Sequence, residues 1–354
     1  MTKEAAERVR TFPSLPEIDD VTRREFLIGA AGLLLLPAGC SRGAVGGGGA
    51  DARTIEHKYG ETVVEGVPER VVSVGYTDQD PLLALGVRPV GIRRWFGDPP
   101  NGVWPWAQGE LGDAKPELLP ADAINYEQVA ALEPDLIVGI SSGMTRNDYD
   151  TLSEFAPTLP QSGEWVDYGV PWQEQTRIIG RALGREERAG ELVSDLERRF
   201  EQAWEEYPEF EGATVTVIGA GGGFFYLYSE ADRSVRFFTD LGLRLPGRAA
   251  EVATEDDYYV EISEEQFGLA EADVIICFSA SPADEEEIRS HELFRRLDAV
   301  REDRVVYLTE NDDPLKGALS FNTVLSHPYL LENFAPRLAQ IVRRARSNGR
   351  AANG

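Results

Sequence analysis

Few residues in this chain are of a type and spacing that could do chemistry. Gly139-Ile140-Ser141-Ser142-Gly143 fits Gly-x-Ser-x-Gly and follows an apolar run. That pattern can form a nucleophile elbow, with an acid and a histidine later in the chain. His327 would fill the order, which makes a secreted serine hydrolase using Ser141 an alternative. An elbow needs a helix at once, however, and Met144-Thr145-Arg146-Asn147-Asp148 reads as a polar turn. Gly219-Ala220-Gly221-Gly222-Gly223-Phe224 hints at a dinucleotide loop, but Phe224 stands where the third glycine belongs. The histidines, His57, His291 and His327, are too widely spaced for the clusters that hold bare zinc or manganese. No catalytic residue, metal site or resident cofactor is expected.

The carboxylates are more informative, because two of them sit in a repeat. Residues 125–139 and 263–277 align without a gap at an offset of 138, sharing Glu127/Glu265, Gln128/Gln266, Glu133/Glu271, Asp135/Asp273 and Ile137/Ile275. Each copy opens on a helix N-cap type, Asn125 or Ser263, and puts a glutamate in the first turn, where the helix dipole favours an anion. Each closes on an apolar run short enough to be a buried strand. The repeat predicts two similarly built α/β lobes, each presenting a carboxylate at a helix start.

The elements that would position these residues follow from the pattern. Gly60–Val64, Val71–Val74 and Pro89–Ile92 read as strands, with a helix over Asp80–Leu85. A turn-rich stretch carries Trp104 and Trp106, and Tyr149–Phe155 and Thr158–Leu159 read as helix and strand. This alternation predicts a parallel sheet covered by helices. Gln173–Trp204 is helical in pattern, broken or bent at Gly184, and its second half would span ~30 Å as a stiff connector. Val215–Gly219, Ser234–Leu241, Arg304–Leu308 and Asn322–Ile341 supply a second lobe, and the tail is expected to fray. The divisions are a signal over 1–40, a Gly-rich tether over 41–53, an N-terminal lobe over 54–170, the connector over 171–208, a C-terminal lobe over 209–345 and a tail over 346–354.

The N-terminus predicts export. Thr22-Arg23-Arg24-Glu25-Phe26-Leu27 is a twin-arginine pattern, and the apolar run Phe26–Ala38 is too short to span a bilayer. It ends in Leu36-Pro37-Ala38-Gly39-Cys40-Ser41, similar to a lipobox in which Cys40 is lipidated. Such an anchor would hold the body on the outer face of the cell membrane. The net charge of −26 argues against nucleic acid as a partner. Cys277, in an apolar run, reads as a small buried hydrophobe.

Several motifs then occur in a telling order. Gly60-Glu61-Thr62 to Pro68-Glu69-Arg70-Val71-Val72, Leu82-Leu83-Ala84-Leu85-Gly86-Val87-Arg88-Pro89-Val90-Gly91, Leu132-Glu133-Pro134-Asp135-Leu136-Ile137 and Leu183-Gly184-Arg185-Glu186-Glu187 resemble the iron–siderophore substrate-binding lipoproteins of ABC transporters. The resemblance covers about residues 55–340. It implies two α/β lobes with parallel-sheet cores joined by a long rigid helix, as in class III periplasmic binding proteins. It implies a monomer that binds a ferric siderophore between the lobes and delivers it to an ABC permease, with no chemistry done on the cargo. Haem or cobalamin is the alternative cargo. The resemblance gives Glu127 and Glu265 the job of docking onto permease arginines.

Ligands of open α/β sheets bind beyond the carboxyl ends of strands. The candidates there are Tyr76, Arg93, Arg94, Trp95, Ser141 and Met144 in the first lobe, with Trp165 on a turn. In the second lobe they are Phe225, Tyr226, Tyr258 and Ser279. Aromatic rings suit a bulky chelate and guanidinium groups suit its anionic oxygens. Arg93 is the leading candidate, expected to face the cargo.

Overall fold

The computed structural model describes residues 52–254, 257–309 and 313–352. The twin-arginine stretch, Cys40 and most of the Gly-rich tether lie outside the described residues. Among those described, no helix is long and apolar enough to cross a membrane.

Twelve strands run in chain order: β1 Arg53–His57, β2 Gly60–Val64, β3 Val71–Ser73, β4 Gly91–Arg93, β5 Glu117–Leu119, β6 Leu136–Gly139, β7 Thr158–Pro160, β8 Val215–Gly221, β9 Phe224–Tyr228, β10 Tyr259–Ile262, β11 Val274–Ser279 and β12 Val305–Leu308. The helices are α1 Gln79–Ala84, α2 Gln108–Leu111, α3 Tyr126–Ala131, α4 Arg146–Ser153, α5 Trp172–Ala182, α6 Glu186–Glu206, α7 Arg233–Asp240, α8 Gly247–Val252, α9 Pro282–Ser290, α10 Asp298–Arg301, α11 Pro314–Phe321, α12 Ser326–Asn333 and α13 Ala335–Ala352.

The first sheet has the order β5-β4-β3-β6-β7, and every pair is parallel. β3, β4, β6 and β7 are short and buried on both faces, as apolar runs covered by helices must be, while edge strand β5 is exposed at Glu117. The hairpin β1–β2 packs Ile55 and Val64 into the same core. The second sheet, β10-β9-β8-β11-β12, departs from the expected parallel core. β8, β11 and β12 are parallel, whereas β9 runs antiparallel to β8 and β10 antiparallel to β9. The cause is the tight connection at Gly222 and Gly223, both at positive φ, which returns the chain as a hairpin with no room for a crossover helix.

The repeat has a structural meaning. In both copies the second residue of the Glu-Gln pair stands at the third helical position. Asn125 accepts a hydrogen bond from the Gln128 amide, and Ser263 exchanges a capping box with Gln266. In both copies the aspartate clamps the chain entering the neighbouring strand. Asp135 accepts from the amides of Glu69 and Arg70 (2.8 and 2.9 Å) just before β3, and Asp273 accepts from the amide of Thr214 (2.8 Å) just before β8. The second copy is not α-helical, though: Glu264–Ala270 is a 3₁₀ helix, with Gly268 inside it.

Between the lobes the helical stretch is broken at Gly184 into two helices, α5 and α6. α5 ends at Ala182, Gly184 just beyond it has φ +66°, and α6 continues for 21 residues. Ile178, Ile179, Ala182 and Ala189 belong to the first lobe's core, and Val193, Leu196, Phe200 and Ala203 to the second's. Leu192 packs against both, so α6 is nailed into each lobe by one half of its apolar stripe. The last helix, α13, runs on to Ala352, into the expected tail. Cys277 is fully buried, and burial pushes its thiol up to about 12.

Candidate binding site

The first sheet's order reverses between β3 and β6, since β4 and β5 add on one side and β7 on the other. The loops leaving those two strands at a switch point border the natural ligand crevice. They are locked to each other: the Val74 amide donates to the Val138 carbonyl (2.8 Å) and the Tyr76 amide to the Ser141 carbonyl (3.0 Å). Gly75 is obligatory here, because a Cβ would lie 2.0 Å from an Asp78 carboxylate oxygen.

Beyond these strand ends lies an aromatic shelf. Tyr76 stacks between Trp95 (centroids 5.4 Å apart) and Tyr168 (6.1 Å). The Arg93 guanidinium covers the Tyr76 face at 4.3 Å and donates through Nη2 to the Tyr76 hydroxyl (2.9 Å) and the Ala121 carbonyl (3.0 Å). Tyr76 in turn donates to Ala121 (3.0 Å), so phenol and guanidinium fix one another. Burial, with Tyr76 alongside, pushes the Tyr168 phenol up to about 12, while Arg93 and Arg233 pull it down.

A second guanidinium closes the floor from the other lobe. Arg233, the first residue of α7, donates Nη1 to Thr77 (2.8 Å), Nη2 to Ser141 Oγ (2.7 Å) and Nε to the Tyr168 carbonyl (2.6 Å). Gln175 of α5 donates to Asp78 (2.6 Å) and to Ser141 Oγ (3.1 Å). Burial pushes the fully buried Asp78 carboxyl up, while Gln175, the Ser141 amide and Arg233 pull it down. A further interlobe contact lies beside it. Thr323 donates to Asp80 Oδ2 (2.5 Å), and Trp106 Nε1 donates to the same oxygen (2.8 Å). Phe321 of α11 meets Trp95 at 5.6 Å and Trp106 at 5.6 Å, which makes an aromatic seam between the lobes.

Of the sequence candidates, Tyr76, Arg93, Trp95 and Ser141 come together, while Arg94 is exposed. Ser141 is 1% exposed, and its hydroxyl faces Arg233 and Gln175 with no histidine near; His327 is buried among Trp172, Phe200 and Phe237. The nucleophile reading therefore lacks its base. Arg93 is only 5% exposed and serves carbonyl oxygens and a phenol, so it supports the shelf from behind where it was expected to face the cargo.

Three candidates are buried away from this shelf. Met144 is buried in the first lobe's core, because the strand end folds over it. Phe225 faces the second core against Phe267 (4.7 Å), because β9 is a strand with alternating faces. Ser279 is 1% exposed, with its carbonyl accepting from Lys316 Nζ (3.0 Å). Tyr226 is half-buried against Tyr259 (5.0 Å), Tyr258 is half-buried near Arg233, and Trp165 is exposed on the loop before α5. Sequence reasoning missed Tyr168, Gln175, Arg233 and Phe321. Arg233 and Thr77 are 156 residues apart, and no local pattern links them.

Glu127 and Glu265 are both exposed, one on each lobe. Glu265 borders a surface hollow of ≈ 350 Å³ lined also by Phe267, Glu271, Leu293 and Leu297. That hollow is remote from the switch point in the first sheet, whose residues form none of its lining.

A family model described as "Periplasmic binding protein" matches residues 71–311. Among curated proteins, a probable siderophore-binding lipoprotein YfiY of Bacillus subtilis is 26% identical over 70% of this chain and 78% of its own. The Fe(3+)-citrate-binding protein YfmC of the same organism is 25% identical over 77% and 84%. A solved periplasmic solute binding protein from Mycobacterium smegmatis is 34% identical, with a TM-score of 0.71, covering 82% of this chain and 99% of that one. Streptococcus pneumoniae PiaA in complex with ferrichrome is 28% identical, with a TM-score of 0.71 and the same coverage.

Proposed function

Because this chain belongs to the periplasmic binding protein family, we propose that it captures a ferric siderophore between its lobes and hands it to an ABC importer. The observation that carries the reading is the shelf of Tyr76, Trp95 and Tyr168 at the switch point, backed by Arg93. It joins flat apolar area to hydrogen-bonding phenols, which suits a bulky chelate. The relatives add support, since YfiY is named for siderophore binding and PiaA was solved with ferrichrome. No bond of the cargo need change: Ser141, the one nucleophile suggested by pattern, is tied to Arg233 and Gln175.

The same reading divides the chain into a signal over 1–40, a tether over 41–53, lobes over 54–170 and 209–345, a connector over 171–208 and a short tail. Export followed by lipidation of Cys40 would keep the body, as a monomer, outside the membrane. Glu127 and Glu265 are the docking carboxylates for permease arginines, which a carboxylate can grip in bidentate fashion. Replacing Cys40 by Ala should release the protein from membranes; a variant that still sediments with them sinks the anchor.

The test of cargo is native mass spectrometry of residues 51–354 against ferric siderophores, ferric citrate, haem and cobalamin, with quenching of tryptophan fluorescence as a second readout. Retention of an intact ferric chelate with quenching is expected. Retention of haem or cobalamin alone would overturn the cargo assignment and keep the fold's role as a binder.

A further inference from the structure

The chain carries a net charge of −26, yet two buried guanidinium groups, Arg93 and Arg233, stand at the candidate site. Arg93 and Arg233 are 5% and 9% exposed. Arg233 has two buried carboxylates near it, Asp78 and Asp232. Arg93 has none in contact. Its partners are the Tyr76 hydroxyl and three carbonyls, two of these at 3.4 and 3.5 Å, and its Nε is buried with no partner at all. Asp148, the carboxylate whose charge is felt from Arg93, is already engaged by Tyr126 and Thr145. Asp167, near Tyr168, is paired with Lys58 at 2.5 Å. Arg94, next in sequence, is exposed.

A guanidinium held away from water without a counter-charge is costly, and the cost falls when an anion arrives. A neutral ligand on the same shelf brings no such relief. We propose that this site selects an anionic ferric chelate, with carboxylate or catecholate oxygens, over a neutral ferric trihydroxamate. The proposal rests on the siderophore-binding reading and names the charge class of its cargo. Arg93 acts as a positioning residue, orienting the Tyr76 phenol while its own field reaches the ligand through a low-dielectric wall. Buried charges are screened weakly by salt, so the preference should persist at physiological ionic strength.

The experiment titrates the soluble body with ferric citrate, a ferric tris-catecholate and ferrichrome, following tryptophan fluorescence at 0.15 M salt. At least one anionic chelate should bind about tenfold or more tighter than ferrichrome, a gap of ~1.4 kcal/mol. Comparing the two anionic arms decides between carboxylate and catecholate. Arg93→Gln should weaken the preferred anion at least about tenfold and ferrichrome by less than about threefold, and Arg93→Lys should recover part of the loss. Ferrichrome binding the wild type as tightly as the better of the two anions would overturn the charge assignment while leaving the siderophore function standing. Failure of all three to bind would overturn both. The wild-type comparison decides even if Arg93→Gln folds poorly.

Discussion

Thr323 donates its hydroxyl hydrogen to Asp80 across the two lobes, at 2.5 Å, from the loop between α11 and α12. The same residue's carbonyl accepts the backbone amide of His327, at 3.1 Å. Two buried titratable groups of opposite type thus hang on one segment of chain. Asp80 is pushed up to about 7, chiefly by burial, with one oxygen left without a partner. His327 is pushed down to about 3 by burial, with neither ring nitrogen bonded.

Their pH dependences oppose one another. Asp80 binds its proton more tightly when folded, so its contribution is fully present below about pH 4 and is lost as pH rises to about 7. His327 binds its proton less tightly when folded, so stability is lost as pH falls from about 6.5 towards 3. Within the shared window each slope is about 1.4 kcal/mol per pH unit. Urea unfolding should therefore vary little with pH between 4 and 6.5 on their account. Asp80→Asn should make stability fall more steeply with acid, and His327→Phe should make it rise. Unchanged profiles in both variants would remove these groups from the balance.

Arg233 is the keystone of the interlobe floor, and its loss leaves Asp78 buried beside Ser141 and Gln175 with its nearby positive charge gone. Arg233→Ala should cost ~3–5 kcal/mol in unfolding free energy, the scale for removing one partner of a buried charged pair. The double variant with Asp78→Asn should be milder than Arg233→Ala alone. Additive losses in a double-mutant cycle would mean that the two do not interact.

The paired exposed glutamates make a prediction for transport. Glu127→Ala with Glu265→Ala should leave chelate affinity near wild type and lower uptake of labelled iron at least about tenfold, as loss of two charge-assisted contacts implies. A matching loss of affinity in the titration would move these carboxylates into the ligand site.

α6 is rooted in both cores, and its 21 residues run unbroken through Gly190 and the crossing at Leu192. A continuous helix offers no soft dihedrals to absorb a hinge rotation. Small-angle scattering should accordingly show a radius of gyration that changes by less than about 1 Å on binding. A contraction of several ångströms would show that the lobes close after all.

Much of this architecture was legible in the sequence. The offset repeat gave the two lobes, and the interruption at Gly184 gave the break between α5 and α6, since both are local signals. What failed was decided at a distance. The hairpin β8–β9 reads as a loop of aromatics until the register of Phe225 with Ile262 and Ala220 puts its ring inside. Arg93 stands at a strand end as expected, but its burial depends on the carbonyls of Ala121 and Ser142, contributed by other loops. Arg233 was invisible, because a charged residue opening a short helix looks like a solvated one until its partners from the other lobe are present.

The interlobe lock formed by α6, Arg233 and the Asp80–Thr323 contact has a consequence for traffic at the membrane. A body that keeps its shape offers the same outer face whether full or empty. Unloaded copies would then occupy the importer as readily as loaded ones, and an excess of them would slow delivery. The rate of import would depend on the loaded fraction more than on total abundance. Discrimination would have to come from the cargo itself.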